Sequence, residues 1–264
     1  MHRIFIFGLG YTAARAALAL ERAGWEVVST GRSGTLRFDD SGSVRMALAD
    51  SSHVLSSVPP EGTGCDPVLD AYGDALNGKS LIYLSSTGVY GDTGGAWVDE
   101  TAPTGTGRRT ARAEADREWL ARGAQVLRLP GIYGPGRSAL ERVESGAAHR
   151  IDLADQIFSR VHVDDIVSGC LKALDAPAGA YNLADDLPCS QNAVVDEACR
   201  LLRREPPPLQ AMDDASLSPM ARAFYDENRR VANRRAKRVL GWRPIYPTYR
   251  DGLAALFAAR QRDQ

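Results

Sequence analysis

Net charge, paired cysteines and long apolar runs are all scarce in this 264-residue sequence. Its 32 Lys and Arg nearly balance 33 Asp and Glu, for a formal net charge of −1. That balance excludes a global pull toward nucleic acid or an anionic membrane surface. The four cysteines, Cys65, Cys170, Cys189 and Cys199, show no C-x-x-C spacing. A zinc site or disulfide framework is therefore not expected, and buried thiols in a reducing compartment are. The opening MHRIFIFGLG has one basic residue and an apolar run of only four residues, Ile4 to Phe7. It is too short for a signal peptide or a membrane span. The expectation is a soluble cytoplasmic protein, monomer or homodimer, with no membrane and no nucleic-acid partner. Repeats and low-complexity tails are also lacking.

What is present is an ordinary globular balance, 44% hydrophobic and 25% charged, with enough apolar material for a real core. Short apolar runs alternate with helical patterns. Expected strands are Arg3–Phe7, Glu26–Thr30, His53–Val58, Leu81–Ser85, Gln125–Leu129 and Ala180–Leu183. Expected helices are Thr12–Ala23, Pro67–Leu76, Arg108–Arg122 and Asp165–Leu174. This alternation implies β-α-β units, hence an α/β fold with a doubly wound parallel sheet of Rossmann type. From about Pro135 the pattern loosens, and residues 136–160 hold no strong strand. After residue 185 come one amphipathic helix, Gln191–Arg203, then Pro206 to Pro208, then a basic helical stretch. The expected division is 1–135 with 160–184 as dinucleotide-binding domain, and 136–159 with 185–264 as a smaller C-terminal substrate lobe.

Gly8-Leu9-Gly10-Tyr11-Thr12-Ala13 ends a strand and opens a helix, the setting that gives a G-x-G-x-x-G/A match its meaning. Gly8 permits the turn, Gly10 lets backbone approach a pyrophosphate, and Ala13 keeps helix and strand close. Free amides of Tyr11 and Thr12 and the helix dipole would hold phosphates; the alternative is a glycine-rich turn with no ligand. An NAD site wants an acid after the second strand. Here Val27-Val28-Ser29-Thr30-Gly31-Arg32-Ser33 offers none. Arg32, with Ser33 beside it, stands where a 2′-phosphate would lie, so NADP is the expected cofactor and NAD the alternative. A solvated loop arginine is the other reading of Arg32. Ser57 and Pro59, in Leu55-Ser56-Ser57-Val58-Pro59-Pro60, lie either beside the adenosine ribose or in a plain proline turn. Ser85, Pro130 and Ile132 complete the expected cofactor contacts.

Four segments carry a resemblance. Leu84-Ser85-Ser86-Thr87-Gly88-Val89-Tyr90-Gly91 resembles the S-S-x-x-V-Y-G segment of the extended short-chain dehydrogenase/reductases. Arg128-Leu129-Pro130-Gly131-Ile132-Tyr133-Gly134-Pro135-Gly136 is similar to their R-x-x-x-x-Y-G-P-G. Val161-His162-Val163-Asp164-Asp165 and Leu240-Gly241-Trp242-Arg243-Pro244 are similar to their I-H-V-D-D and L-G-W-x-P. The resemblance covers nearly the whole chain and points to epimerase/dehydratase-like members. It implies a nicotinamide cofactor in the sheet domain and a substrate, often a nucleotide sugar, under the lobe.

The resemblance also implies where the chemistry lies. Ser86 matches the family's serine. The family's Tyr and Lys of Y-x-x-x-K fall on Thr106 and Thr110 when Thr106-Gly107-Arg108-Arg109-Thr110-Ala111-Arg112-Ala113-Glu114 is aligned on its glycine and glutamate. The glycine loop departs too, since G-x-x-G-x-x-G would need glycine at Phe7 and Ala13. Both departures resemble an atypical branch of the family that lacks the full triad. An aliphatic hydroxyl is a far weaker acid than a phenol, so Thr106 is not expected to donate a proton, and Thr110 brings no charge to help. Arg108, Arg109 and Arg112 are expected to form a solvated basic helix face.

Tyr90 and Tyr133 are either substitute acids or packing residues with tethered hydroxyls, the second being expected. Asp164 is expected to cap the helix after His162 rather than join it in a metal or acid/base site. Arg137 is placed to meet an anionic substrate group. The basic stretch Arg222, Arg229, Arg230, Arg234, Arg235, Lys237 and Arg238 ends at Gly241 and Pro244 as a surface helix. Two functions follow as expectations. One is an NADP(H)-binding oxidoreductase or epimerase acting on a carbonyl, sugar-like or anionic small molecule. The alternative is a non-catalytic NADP(H)-binding sensor or scaffold.

Overall fold

The structure is a computed structural model that describes residues 2–62, 66–107, 110–213, 222 and 225–262. Cys65, Arg108 and Arg109 lie outside the described residues. The central sheet contains β1 (Arg3–Phe7), β2 (Glu26–Ser29), β3 (His53–Ser56), β4 (Ser80–Ser86), β6 (Gln125–Leu129) and β10 (Gly179–Asn182). Its order is β10-β6-β4-β3-β1-β2, and every pairing is parallel. Among the described residues three two-stranded pairs lie outside it: β5 (Trp97–Val98) with β12 (Arg230–Val231), β7 (Gly131–Tyr133) with β9 (Arg160–His162), and β8 (Arg150–Ile151) with β11 (Leu209–Gln210).

Strand alternation builds two cores. Ile4 and Ile6 face one side of the sheet, where α1 (Tyr11–Arg22) and α6 (Val163–Ala173) pack; Phe5 and Phe7 face the other. There they meet α2 (Ser41–Ala49), α3 (Pro67–Tyr72) and α4 (Thr110–Ala121) through Val44, Leu48, Tyr72 and Trp119. Side chains one residue apart on a strand point to opposite faces, so a sheet covered on both sides must be apolar throughout. Helix α1 buries Thr12, Ala13, Ala16, Ala17 and Leu20, one helical face of mostly small residues that lets it sit close to the sheet.

The chain runs from β1 to β2, then crosses back over β1 to β3. The strand order therefore reverses between β1 and β3. In such sheets ligands bind outside the carboxyl ends of the strands at this switch point, which here is the loop Gly8–Gly10 facing Ser57.

A third apolar cluster joins α5 (Ala139–Glu144), α7 (Gln191–Leu202) and the C-terminal helix Tyr249–Arg262. Stretch 136–160 thus holds a short helix as well as β8. Its start is a complete capping box, Ser138 with Glu141. The C-terminal helix went unread in the sequence, although Thr248 and Asp251 bond reciprocally at its start. Helix α2 was also unread, because only Val44 and Leu48 of its nine residues are buried and the apolar periodicity is thin. The basic stretch resolves into a short helix, Arg234–Val239, beyond β12. Among the described residues no helix is long and apolar enough to cross a membrane, and no group of His, Cys, Asp or Glu is arranged to hold a metal.

Candidate functional site

The site begins at the end of β1. Gly8 adopts φ +82°, which a side chain would strain. Its carbonyl accepts a hydrogen bond from the Ser57 hydroxyl, and the Leu9 amide donates to the Thr30 carbonyl at 2.8 Å. That second contact requires Gly31, since a Cβ there would lie 2.7 Å from the Leu9 nitrogen. Helix α1 starts at Gly10 without a side-chain cap and with no acid in its first turn. A Cβ built on Gly10 meets nothing within 4 Å. The first-turn amides of a helix lack internal partners and carry the positive end of its dipole, so an anion in the space before Gly10 would find donors and favourable charge.

That space opens into a cavity of about 1030 Å³. Gly10, Tyr11, Thr12 and Ser57 line its first part; Ser85, Ser86, Thr87, Arg112, Pro130 and Ile132 line its middle. A second hollow, about 800 Å³ between the 97–102 and 231–238 segments, touches neither the glycine loop nor Ser86. The chemistry-bearing residues favour the first.

Ser86 is half-buried, and its Oγ accepts from the Gly88 amide at 3.1 Å. Its own proton stays available to a ligand oxygen. Ser85 is differently placed. Its hydroxyl donates at 2.6 Å to Asp116, which also holds Arg128 through two hydrogen bonds of 3.1 and 2.6 Å. Arg128 donates to the Tyr90 hydroxyl at 2.9 Å, and Tyr90 donates to Asn182 at 2.8 Å. Burial pushes the Tyr90 phenol up despite Arg128. Tyr90 is thus a tethered packing residue.

The Tyr and Lys positions of the sequence alignment do not reach the cavity. Thr106 Oγ1 donates to the Tyr90 carbonyl at 2.9 Å, and Thr110 is exposed at the start of α4. Neither lines the cavity. Arg112 does, which corrects its expected place on a solvated face. It lies one turn before Asp116 on the same side of α4, half-buried, and donates to the Tyr83 hydroxyl at 2.8 Å. Arg108 and Arg109 lie outside the described residues.

Tyr133 lines the cavity but is 8% exposed, with its hydroxyl packed against Gly252 of the C-terminal helix. That hydroxyl has no hydrogen-bond partner among the described residues. Burial first, then the charges of Asp185 and Asp165, push its pKa well above that of an ordinary phenol, which makes it a poorer acid. His162, not Asp164, caps α6: its Nδ1 accepts from the Asp164 amide at 3.2 Å. Burial lowers the imidazole pKa. Asp165 accepts from the Ile245 and Tyr246 amides and so ties the 240–246 segment to α6, with burial pushing its carboxyl up to about 6.

Of the other expected cofactor residues, Gly8 and Ala13 shape the loop from behind. Arg32, Ser33 and Pro59 are exposed and stand outside the cavity lining. Arg137 lies on the rim, 5.8 Å from the Tyr11 ring centroid, and Tyr11 donates to the Pro135 carbonyl at 3.1 Å. Arg160, Gln191 and Asp185 were missed. Arg160 sits two residues before the His162 match, but nothing local shows that its guanidinium turns inward. Asp185 reaches the lobe only through the turn after β10.

No protein-family model matches the chain. A conserved protein of unknown function from Silicibacter pomeroyi DSS is 38% identical, covers 98% of this chain and 99% of its own, and superposes with a TM-score of 0.87. Protein YeeZ of Escherichia coli K12 is 28% identical over 244 residues, covering 78% of this chain and 86% of its own. The dTDP-glucose 4,6-dehydratase of Bacillus anthracis str. Ames, solved with NAD, is 15% identical and covers 100% and 98% with a TM-score of 0.78, a likeness of fold. The four segments and the sheet order agree with these likenesses, and the chain has the Rossmann-type α/β fold of the epimerase/dehydratase structures.

Proposed function

We propose that the protein binds NADP(H) and is an oxidoreductase or epimerase acting on a carbonyl or sugar-like small molecule. One observation carries this reading: a single cavity runs from the uncapped start of α1 to the free hydroxyl proton of Ser86 and on into the lobe. The residues present fit a dinucleotide, because Gly10 leaves open space where backbone donors converge. The loop Gly8–Thr12 would hold the pyrophosphate, and Arg32, with no acid after β2, would favour a 2′-phosphate. A bound nicotinamide supplies hydride exchange. Around it Ser86 would donate a hydrogen bond to a substrate oxygen, and Arg112 would add a fixed positive charge without moving protons. A structure of the same fold solved with NAD supports the cofactor class.

The second reading, a non-catalytic NADP(H) sensor, draws on Thr106 and Thr110 standing outside the cavity and on the buried Tyr133 hydroxyl. Calorimetric titration with NADPH and NADH, followed by single-turnover oxidation of bound NADPH with a panel of carbonyl compounds, separates the two. NADPH is expected to bind tighter than NADH, with the preference lost in Arg32→Ala and all binding lost in a folded Gly10→Val. Oxidation is expected to fall in Ser86→Ala and to persist in Thr106→Ala. Equal cofactor affinities would end the NADP assignment. Tight binding with no substrate-dependent oxidation would favour the sensor.

A further inference from the structure

The lobe half of the cavity joins an apolar wall to arginines that lack counter-ions. The wall is Ile157, Phe158, Val194, Val195 and Leu253. Against it lies Arg160, 7% exposed, whose guanidinium donates only to neutral groups: the Phe158, Cys189 and Ser190 carbonyls, the Cys189 Sγ and the Gln191 Oε1. Among the described residues no carboxylate stands within ion-pair distance of Arg160, or of Arg137 and Arg142 at the mouth. The acids of the lining are committed elsewhere, Glu141 to Ser138 and Arg260 and Glu227 to Arg229. Asp185 is the acid that Arg160 feels, and burial holds its carboxyl at about 7, so it is only a partial counter-ion near neutrality.

A buried charge without an ionic partner is unfavourable unless a ligand completes it. The wall offers methyl groups and a ring to an apolar body, with the polar Ser159, Gln191 and His149 beside it. We propose that the substrate is a compact carbonyl compound with an apolar body and one oxyanion, a carboxylate or a phosphomonoester, seated on Arg160. The body lies on the apolar wall, and Arg142 adds attraction at the mouth. This rests on the oxidoreductase reading and narrows its substrate from the sugar-like alternative.

The test titrates the full-length chain, with and without NADPH, using benzoate, phenyl phosphate, benzamide, inorganic phosphate and UDP-glucose. Benzoate or phenyl phosphate is expected to bind about tenfold or more tighter than benzamide, the span of one charge-assisted hydrogen bond. Inorganic phosphate, which lacks the body, is expected to bind more weakly than phenyl phosphate. The tighter of the two aromatic anions identifies the oxyanion. Arg160→Gln should bring that affinity down to the benzamide level with NADPH affinity retained. Arg142→Gln, an exposed change that spares the core, should weaken it by about threefold. Benzamide binding as tightly as both aromatic anions, or UDP-glucose binding tightest, overturns the proposal. Failure of NADPH to bind sinks the oxidoreductase reading instead, and the anion titrations still decide this one.

Discussion

Two buried polar clusters flank the cavity, and they differ in whether their atoms are paired. The first, under the ends of β4 and β6, joins Ser85, Asp116, Arg128, Tyr90 and Asn182 in an unbroken chain of hydrogen bonds. The second, where β7 and β9 meet the lobe, holds Tyr133, His162 and Asp185, each with one polar atom that finds no partner among the described residues. A fully satisfied network in a low-dielectric interior holds one geometry. Unpaired groups of the same burial resist ionising instead. The first cluster is therefore a frame that aims Ser86 and the floor of the cavity. The second is a region of perturbed acidity beside the proposed anion seat.

The largest test of this contrast is Asp116→Ala. It leaves the Arg128 guanidinium buried and unpaired, and a loss of about 3–5 kcal/mol is expected in denaturant unfolding. A loss below about 1 kcal/mol would show that the frame relaxes and is not what holds the site.

Asp185→Asn should act in the opposite direction and depend on pH. Burial raises the folded carboxyl to about 7, well above the ordinary aspartate range. Its contribution to stability is thus fully present below the unfolded value and lost as pH rises through the folded one. At pH 8 the charged aspartate opposes folding, and the amide should stabilise by on the order of 1–2 kcal/mol, the gain fading toward pH 4. A gain independent of pH would deny that this carboxyl is perturbed.

The smallest effect is expected from Tyr133→Phe. With no partner for its hydroxyl, the change should stay within about 0.5 kcal/mol in thermal unfolding. A loss of about 1 kcal/mol or more would mean that a bridging water satisfies the group, which would bring the two clusters closer in kind.

The parts of the site that depend on local chain geometry were legible. Gly8 and Gly10 sit at a strand–helix junction, and strand–helix alternation fixes which end of the sheet faces the ligand. The cap of α6 was misassigned by two residues, because Asp164 has the commoner capping side chain while His162 holds the extended backbone that a cap requires. The helix after Thr248 carries a local start signal, the Thr248–Asp251 pair. Arg112 was misplaced for a different reason. A helix face is known from spacing, but which face meets the sheet depends on Asp116 being drawn down by Arg128, a residue of another strand.

What the sequence determined by itself was therefore periodic or local: the doubly wound sheet, the glycine-rich strand–helix junction at Gly8 and Gly10, and threonines rather than tyrosine and lysine at 106 and 110. Period-2 and period-3.6 burial and the backbone freedom of glycine act between near neighbours, so single segments carry them. Tertiary structure alone decided that Arg112 enters the cavity while Thr106 bonds the Tyr90 carbonyl, that Tyr133 buries its hydroxyl against Gly252, and that Arg160 turns inward without a carboxylate. Each of these joins residues far apart in the chain. Charge and desolvation act through space, and which groups share that space is set only when the strands and the lobe have packed.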